Sequence, residues 1–70
     1  MNITVNGKPR EIDSPEAGEM DLPSFLRAFD VNPRLVAVAI NGDIVPRDRY
    51  AAARVRDGDT LEIVRMVGGG

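Results

Sequence analysis

Apolar and polar residues alternate at the start of the chain, where Ile3 and Val5 share one face of the segment "NITVN". A period of two is typical of a half-buried β-strand. The Asn-Gly pair at residues 6–7 tolerates positive φ and therefore predicts a tight hairpin turn. Residues 8–12 are expected to form the returning strand, with Pro9 at its first or an edge position because proline lacks an N–H group.

A helical period follows the polar, acidic stretch 13–21, which we interpret as an exposed loop. Asp21 is the expected N-cap, and Pro23 falls in the first turn, where its missing N–H costs little. One apolar stripe then consists of Leu22, Phe25, Leu26 and Phe29. This stripe predicts a short helix packed on a sheet. The helix is expected to end at Asn32, because the residue before proline disfavours the α region.

The next segments favour strands again. Residues 34–40 predict a nearly continuous apolar strand whose β-branched face belongs in the core. That face consists of Val36, Val38 and Ile40. Residues 41–42 predict a second Asn-Gly turn, which leads into a short strand that ends at Pro46. The pattern of segment 47–54 is too short to separate a turn of helix from an irregular crossover.

The last strand, "LEIVRM", directs Leu61 and Ile63 towards the helix and the alternate residues towards solvent. One helix among several strands indicates an α+β domain, with a mixed sheet of four to five strands packed on one short helix. The first and last strands are expected to be parallel neighbours, which the helix crossover permits. This is a β-grasp arrangement, with residues 1–67 as one domain and residues 68–70 as a flexible glycine tail.

Charge and composition narrow the chemistry. The 70 residues carry a formal net charge of −2, which argues against a nucleic-acid partner, and no apolar run approaches the roughly 20 residues that span a bilayer. No secretory signal is evident, so we expect a cytoplasmic protein. We also expect the chain to be monomeric when free. The chain has neither Cys nor His, so we expect no catalytic residue. The acidic residues of segment 13–21 fail the calcium-loop spacing, and no metal site is expected.

The sequence "MVGGG" raises a different possibility. Because glycine has no Cβ, Gly68–Gly70 would enter a channel too narrow for other residues. An extended tail from Val67 reaches on the order of 13 Å, at about 3.3 Å per residue. Its carboxylate accepts a nucleophile once ATP converts it to an acyl-adenylate. From the glycines alone, a flexible linker or simple fraying remains an equal alternative.

Longer stretches carry a resemblance. The ending "DGDTLEIVRMV" before "GGG", together with "NPRLVAVAINGDIVPRDRY", resembles the sulfur carrier proteins of thiamine biosynthesis, the ThiS family, which are ubiquitin-like β-grasp proteins. The resemblance runs from "ITVNGKPRE" to Gly70. It implies that an adenylating enzyme of the ubiquitin-activating type uses ATP and Mg²⁺ to form an acyl-adenylate on Gly70, while the chain itself binds no cofactor.

The same resemblance implies the later steps and their partners. Sulfur from a cysteine desulfurase or a related donor replaces the adenylate and leaves a thiocarboxylate, from which thiazole synthase takes the sulfur. Gly70 is then the reacting residue, with Gly68 and Gly69 as the slender approach. The small subunit of molybdopterin synthase and a ubiquitin-like protein modifier share the tail and are the nearest alternatives. A passive interaction module with an inert tail is a third.

Partner contacts are expected on the solvent face of the last strand. Val64 and Met66 would form this surface, with Val67 at the base of the tail. Tyr50 is a further candidate for it, and packing over the sheet edge is an equal alternative. Arginines 47, 49 and 54 are interpreted as solvated charges.

Overall fold

The computed structural model describes residues 1–13 and 18–66. Within these ranges the strands are β1 (Asn2–Val5), β2 (Lys8–Glu11), β3 (Glu19–Asp21), β4 (Val36–Ile40), β5 (Asp43–Ile44), β6 (Arg54–Arg56) and β7 (Thr60–Arg65). The helix is α1 (Leu22–Ala28), and two 3₁₀ turns span Pro33–Leu35 and Arg47–Arg49. The predicted boundary between domain and tail, at residues 67–68, lies outside the described residues.

Five of the described strands form a mixed sheet in the order β2-β1-β7-β4-β5. β1 and β7 run parallel, with Val5 opposite Leu61, whereas β7 and β4 run antiparallel. The segment between β1 and β7 includes α1, which gives the chain the length it needs to return in the same direction. The predicted α+β fold, a mixed β-grasp sheet with one short helix, is confirmed.

Both predicted Asn-Gly turns are confirmed. Asn6 and Gly7 have φ of 50° and 81°, and Asn41 and Gly42 have φ of 51° and 86°. Positive φ at both central residues matches the right-handed twist of the strands that the turn joins. Pro9 lies in β2, an edge strand of the sheet, as predicted.

The interpretation of residues 13–21 as an exposed loop is wrong for Glu19–Asp21, which form β3. This strand pairs antiparallel with β6, and Met20 lies opposite Val55. Both side chains are buried. Because Met20 is the only apolar residue of β3, the local pattern is that of a loop, and the strand depends on a partner far away in sequence. The undecided segment 47–54 contains the second 3₁₀ turn and the first residue of β6.

α1 ends at Ala28, earlier than predicted. The N–H of Asp30 donates to the carbonyl oxygen of Arg27 at 2.9 Å. The N–H of Val31 donates to the carbonyl oxygen of Leu26, also at 2.9 Å. This is the Schellman arrangement, and Asp30 takes the left-handed position with φ of 60°. Glycine usually marks that position in a sequence, so an aspartate there conceals the end of the helix.

The strand predicted for residues 34–40 begins two residues later in the structure, at Val36. Pro33–Leu35 form a 3₁₀ turn, and the Asn32 side-chain oxygen accepts from the N–H of Arg34 at 2.9 Å. β4 therefore begins at Val36. This turn brings the backbone of Leu35 to the end of β7.

The core lies between α1 and the inner face of the sheet. Its buried side chains are Ile3, Val5, Met20, Leu22, Phe25, Leu26, Val36, Val38, Tyr50, Val55 and Leu61. Phe29 is only partly buried and stacks on Phe25, with ring centroids 5.0 Å apart. The helix stripe and the β-branched face of β4 thus meet as predicted. In the part of the chain that the structure describes, no helix has the length and apolar character to cross a membrane.

The predicted N-cap of α1 is confirmed and provides a test of the fold. The Asp21 carboxylate accepts from the N–H of Ser24 at 3.0 Å. We expect Asp21→Ala to lower the free energy of unfolding at pH 7 by about 1 kcal/mol, measured by urea denaturation. Asp21→Asn keeps an oxygen acceptor at the same place, so it should remain much closer to the wild type.

The stabilisation from this cap should depend on pH. The hydrogen bond from the backbone N–H of Ser24 is the main reason that the pKa of Asp21 lies below its usual value, and a hydrogen bond from the Ser24 side chain lowers it further. A carboxylate with a lowered folded pKa stabilises the fold above its unfolded pKa, and this contribution is lost as the pH falls through the folded pKa. The difference between wild type and Asp21→Ala should therefore shrink in acid. A difference that stays constant into the acid range would contradict the assignment.

Candidate functional site

The strand that leads to the glycine tail is β7, and Met66 is the last residue that the structure describes. The N–H of Met66 donates to the carbonyl oxygen of Leu35 at 2.8 Å, one residue beyond the last pair of the β4–β7 ladder. The predicted tail and its base lie outside the described residues: Val67, Gly68, Gly69 and Gly70. The chain therefore enters the tail from a backbone position that is hydrogen-bonded to Leu35.

The face of the sheet turned away from α1 is apolar next to that position. The register pairs Ala37 with Val64, and it pairs Ala39 with Ile44. Val64 is 61% exposed and Met66 is 53% exposed, so their predicted position on the solvent side is confirmed. We call this surface the apolar patch, and its residues are Leu35, Ala37, Ala39, Ile44, Val64 and Met66. Contiguous exposed apolar surface of this kind is typical of interaction sites.

The charged side chains of the five-stranded sheet differ between its outer face and its helix side. Glu11 and Glu62 alternate with inward-facing residues and so share the outer face with the apolar patch. The other charged residues of these strands pair with inward-facing neighbours and lie on the helix side: Lys8, Arg10, Asp43 and Arg65. Among the described strands of this sheet, the charged groups of the outer face are therefore all acidic.

The structure contradicts the prediction that Tyr50 joins the outer face. Its side chain is only 8% exposed, and its hydroxyl donates to the carbonyl oxygen of Val36 at 2.9 Å. A buried tyrosine with a hydrogen-bonded hydroxyl serves packing, the alternative that the sequence left open.

Two arginines expected to be solvated are engaged in the fold. Arg47 donates from Nη1 to the carbonyl oxygens of Pro33 at 3.2 Å and Arg34 at 3.0 Å. The Nε–H of Arg54 donates to the Glu19 carboxylate at 3.2 Å. This hydrogen bond is the main reason that the pKa of Glu19 lies below its usual value. The sequence carries no local signal for either contact, because both join segments that are distant along the chain.

The acidic stretch considered for a metal ion has other contacts. Glu19 pairs with Arg54, and Asp21 caps α1. Glu16 lies outside the described residues. Across residues 1–13 and 18–66, no group of three side chains suited to a metal ion comes together.

β7 is held on both sides by the asparagines of the two hairpin turns. The Asn6 side chain accepts from the N–H of Ile63 at 2.8 Å and donates to the Ile63 carbonyl oxygen at 3.1 Å. On the other side, the Asn41 side chain accepts from the N–H of Thr60 at 2.9 Å. The side chain of each asparagine hydrogen-bonds to the backbone of β7 at the point where the backbone of the neighbouring strand, β1 or β4, enters its hairpin turn and leaves the sheet. These contacts fix the register of β7 and hence the place at which Met66 leaves the sheet.

Comparison with known proteins connects this geometry to a family. The model of the ThiS family matches residues 3–70. The sulfur carrier protein ThiS of Bacillus subtilis (strain 168) is 31% identical over 68 residues, which cover 97% of this chain and 98% of that protein. The thiazole synthase of Paramagnetospirillum magneticum is 40% identical over 70 residues, and this chain spans only 20% of its length.

A solved structure is similar over the whole chain. The crystal structure of the thiamine biosynthesis protein ThiS from Geobacter metallireducens matches with a TM-score of 0.83 at 38% sequence identity, and both chains are covered completely. The sheet order, the single described helix and the position of β7 are thus those of a fold already seen by crystallography.

The Asn6 contact predicts a specific loss of stability. Asn6→Asp keeps a residue that tolerates positive φ, but it places a carboxylate oxygen against the carbonyl oxygen of Ile63. We expect the free energy of unfolding to fall by about 1–3 kcal/mol at pH 7, measured by urea denaturation. Asn6→Gly keeps the turn and removes both hydrogen bonds without repulsion, so its loss should be smaller. Wild-type stability in Asn6→Asp would show that this side chain does not hold β7.

Proposed function

The chain belongs to the ThiS family, and from this premise we propose that it is a sulfur carrier in thiamine biosynthesis, with the sulfur held as a thiocarboxylate on Gly70. The observation that carries the proposal is that the family match extends to residue 70 and so includes the glycine tail as well as the folded domain. Such a carrier is a protein co-substrate, and enzymes act on it.

The proposed cycle begins with the α-carboxylate of Gly70. An adenylating enzyme of the ubiquitin-activating type, with ATP and Mg²⁺, joins this carboxylate to AMP and releases pyrophosphate. The acyl carbon then becomes electrophilic, because AMP is a far better leaving group than oxide. A thiol reductant releases sulfide from the persulfide of a cysteine desulfurase or from a related donor, and this sulfide displaces AMP and leaves the thiocarboxylate. The chain contains no Cys, so its own side chains offer no thiol to compete for the activated carbonyl.

Thiazole synthase is the proposed acceptor of the sulfur. The similarity to a segment of the Paramagnetospirillum magneticum thiazole synthase supports an association between the carrier and this enzyme. In the proposed transfer, Gly68 and Gly69 let the thiocarboxylate pass through a narrow entrance.

The apolar patch is the proposed docking surface for the adenylating enzyme. It includes Met66, the last described residue before the tail, so an enzyme that binds the patch lies beside the start of the tail. The carboxylates of the same face, Glu11 and Glu62, favour a partner surface that is apolar at its centre and basic at its margin. Complementary charge of this kind mainly increases the association rate and fixes the orientation of the complex.

The decisive experiment is intact mass spectrometry. The 70-residue protein is incubated with a ThiS-adenylating enzyme, ATP, Mg²⁺, cysteine and a desulfurase. We expect a mass increase equal to the replacement of one oxygen by sulfur, located at Gly70 by fragmentation. A variant lacking Gly69 and Gly70 should keep the melting temperature of the full chain and show no such increase.

Other outcomes of this experiment select the alternatives. Covalent conjugates to lysine would indicate a protein modifier. A thiocarboxylate that the large subunit of molybdopterin synthase consumes, and that thiazole synthase does not, would place the chain in molybdenum cofactor synthesis. Absence of any modification would indicate a passive interaction module.

The docking surface has its own test. Val64→Asp places a charge in the apolar patch, and we expect its affinity for the adenylating enzyme to fall at least tenfold, about 1.4 kcal/mol, measured by calorimetry. Thr4→Asp adds the same charge to the same face of the sheet on β1, away from the patch, and should bind within about twofold of wild type. Equal affinities for the two variants would exclude the patch as the interface.

A further inference from the structure

Arg47 connects the second 3₁₀ turn to the first. Its guanidinium carbon lies 5.7 Å from the ring centroid of Tyr50. Nη1 donates to the carbonyl oxygens of Pro33 and Arg34, and Nη2 lies 3.4 Å from the carbonyl oxygen of Val36. The Tyr50 hydroxyl donates to the same Val36 oxygen. One planar cation thus holds three carbonyl groups, an arrangement that suits the fixed fork of an arginine and not the single ammonium of a lysine.

Leu35 lies between the residues that Arg47 holds. Its N–H donates to the carbonyl oxygen of Asn32 at 3.0 Å, and its own carbonyl oxygen accepts from the N–H of Met66 at 2.8 Å. The Met66 hydrogen bond is the last backbone contact described before the tail. The Leu35 carbonyl is therefore the last described backbone group that holds the chain before it leaves the sheet.

We propose that Arg47 is a positioning residue for the glycine tail. Its guanidinium group fixes the peptide groups on both sides of Leu35, and the Leu35 carbonyl in turn fixes Met66. This role rests on the proposed function, because it concerns the delivery of Gly70 to an enzyme. Tyr50 supports the same segment from inside the core through the Val36 oxygen, whereas Arg47 acts from the solvent side.

The exposure of these groups separates positioning from general stability. Arg34, Leu35 and Arg47 are exposed, and Pro33 is partly buried. Water can replace the guanidinium at the Pro33 and Arg34 carbonyls, and the Val36 carbonyl keeps the Tyr50 hydroxyl as a partner, so loss of Arg47 leaves no buried polar group without a partner. What is lost is the fixed spacing of three carbonyl groups. The expected effect is therefore local opening at Leu35 and Met66 rather than global unfolding.

Amide hydrogen exchange, measured by NMR, tests this directly. In Arg47→Gln the side chain is too short to reach all three carbonyls, and we expect the Met66 amide to exchange roughly five- to tenfold faster, the effect of losing one ordinary hydrogen bond. The Asn41 amide, which donates to Thr60 at the other end of β7, should be unchanged.

Arg49→Gln is the matched control, because Arg49 is an exposed arginine on the same 3₁₀ turn and the substitution changes the net charge equally. Met66 exchange in Arg47→Gln that is no faster than in Arg49→Gln overturns the proposal. If Arg47→Gln proves unstable as a whole, Arg47→Lys keeps the charge and most of the stem while losing the fork. It should still accelerate Met66 exchange, and wild-type exchange in Arg47→Lys would then overturn the proposal.

Kinetics of adenylation provide the functional readout. With the full chain as the varied substrate, we expect Arg47→Gln to raise KM several-fold and to leave kcat within about twofold, because a Met66 that is held in place only on binding lowers the competent fraction of the free protein. A fall in kcat at unchanged KM would contradict a role in positioning the tail. If wild type is not adenylated at all, the proposed function fails, and the exchange comparison alone decides what Arg47 does.

Discussion

The pairing of β7 with a strand on each side is the constraint on which the rest of the molecule depends. β7 contributes Leu61 to the core and pairs with β1 in parallel and with β4 in antiparallel orientation. Because its residues meet segments far away in sequence, neither hairpin completes a core without it. A shift of one residue in this register would turn Leu61 outward and Val64 inward. The core, the apolar patch and the start of the tail are therefore set by a single alignment.

In the proposed function, the folded surface and the tail have different roles: the surface binds the partner and the tail carries the reacting group. A chain without Cys or His has few side chains for covalent chemistry near neutral pH, and in the proposed cycle the main-chain carboxylate takes that role. In the same proposal, the folded domain supplies a surface that a partner recognises, which a short glycine segment lacks. In the proposed complex, the acidic and apolar groups of the outer face would add specificity without any change at the reacting carbon.

The sequence predicted the parts of the fold that have a strong local signal. The Asn-Gly turns, the Asp21 cap, the helix stripe and the inward face of β4 were all readable, since each depends on neighbouring residues. β3 was missed because Met20 is its one apolar residue and its partner strand lies far along the chain. The end of α1 was misplaced because an aspartate occupies the position where glycine is usual.

The candidate site divides in the same way. The exposure of Val64 and Met66 followed from a period of two along β7. The contacts of Tyr50 and Arg47 were not predicted, because composition identifies an aromatic or a charged residue but not the distant carbonyl groups that it contacts. In the proposed cycle the Gly70 carboxylate reacts, and the absence of side chains in the tail only gives it access. Family similarity rather than local pattern connects the tail to a pathway.

The parallel orientation of β1 and β7 has a mechanical consequence. Force applied to the tail, with the start of β1 held, runs along both strands in opposite directions. Such a load shears the backbone hydrogen bonds between the strands together, whereas a hairpin opened from its end loses them one at a time. In the proposed cycle, a pull on the tail that is opposed at the start of β1 is therefore resisted by all of these hydrogen bonds at once.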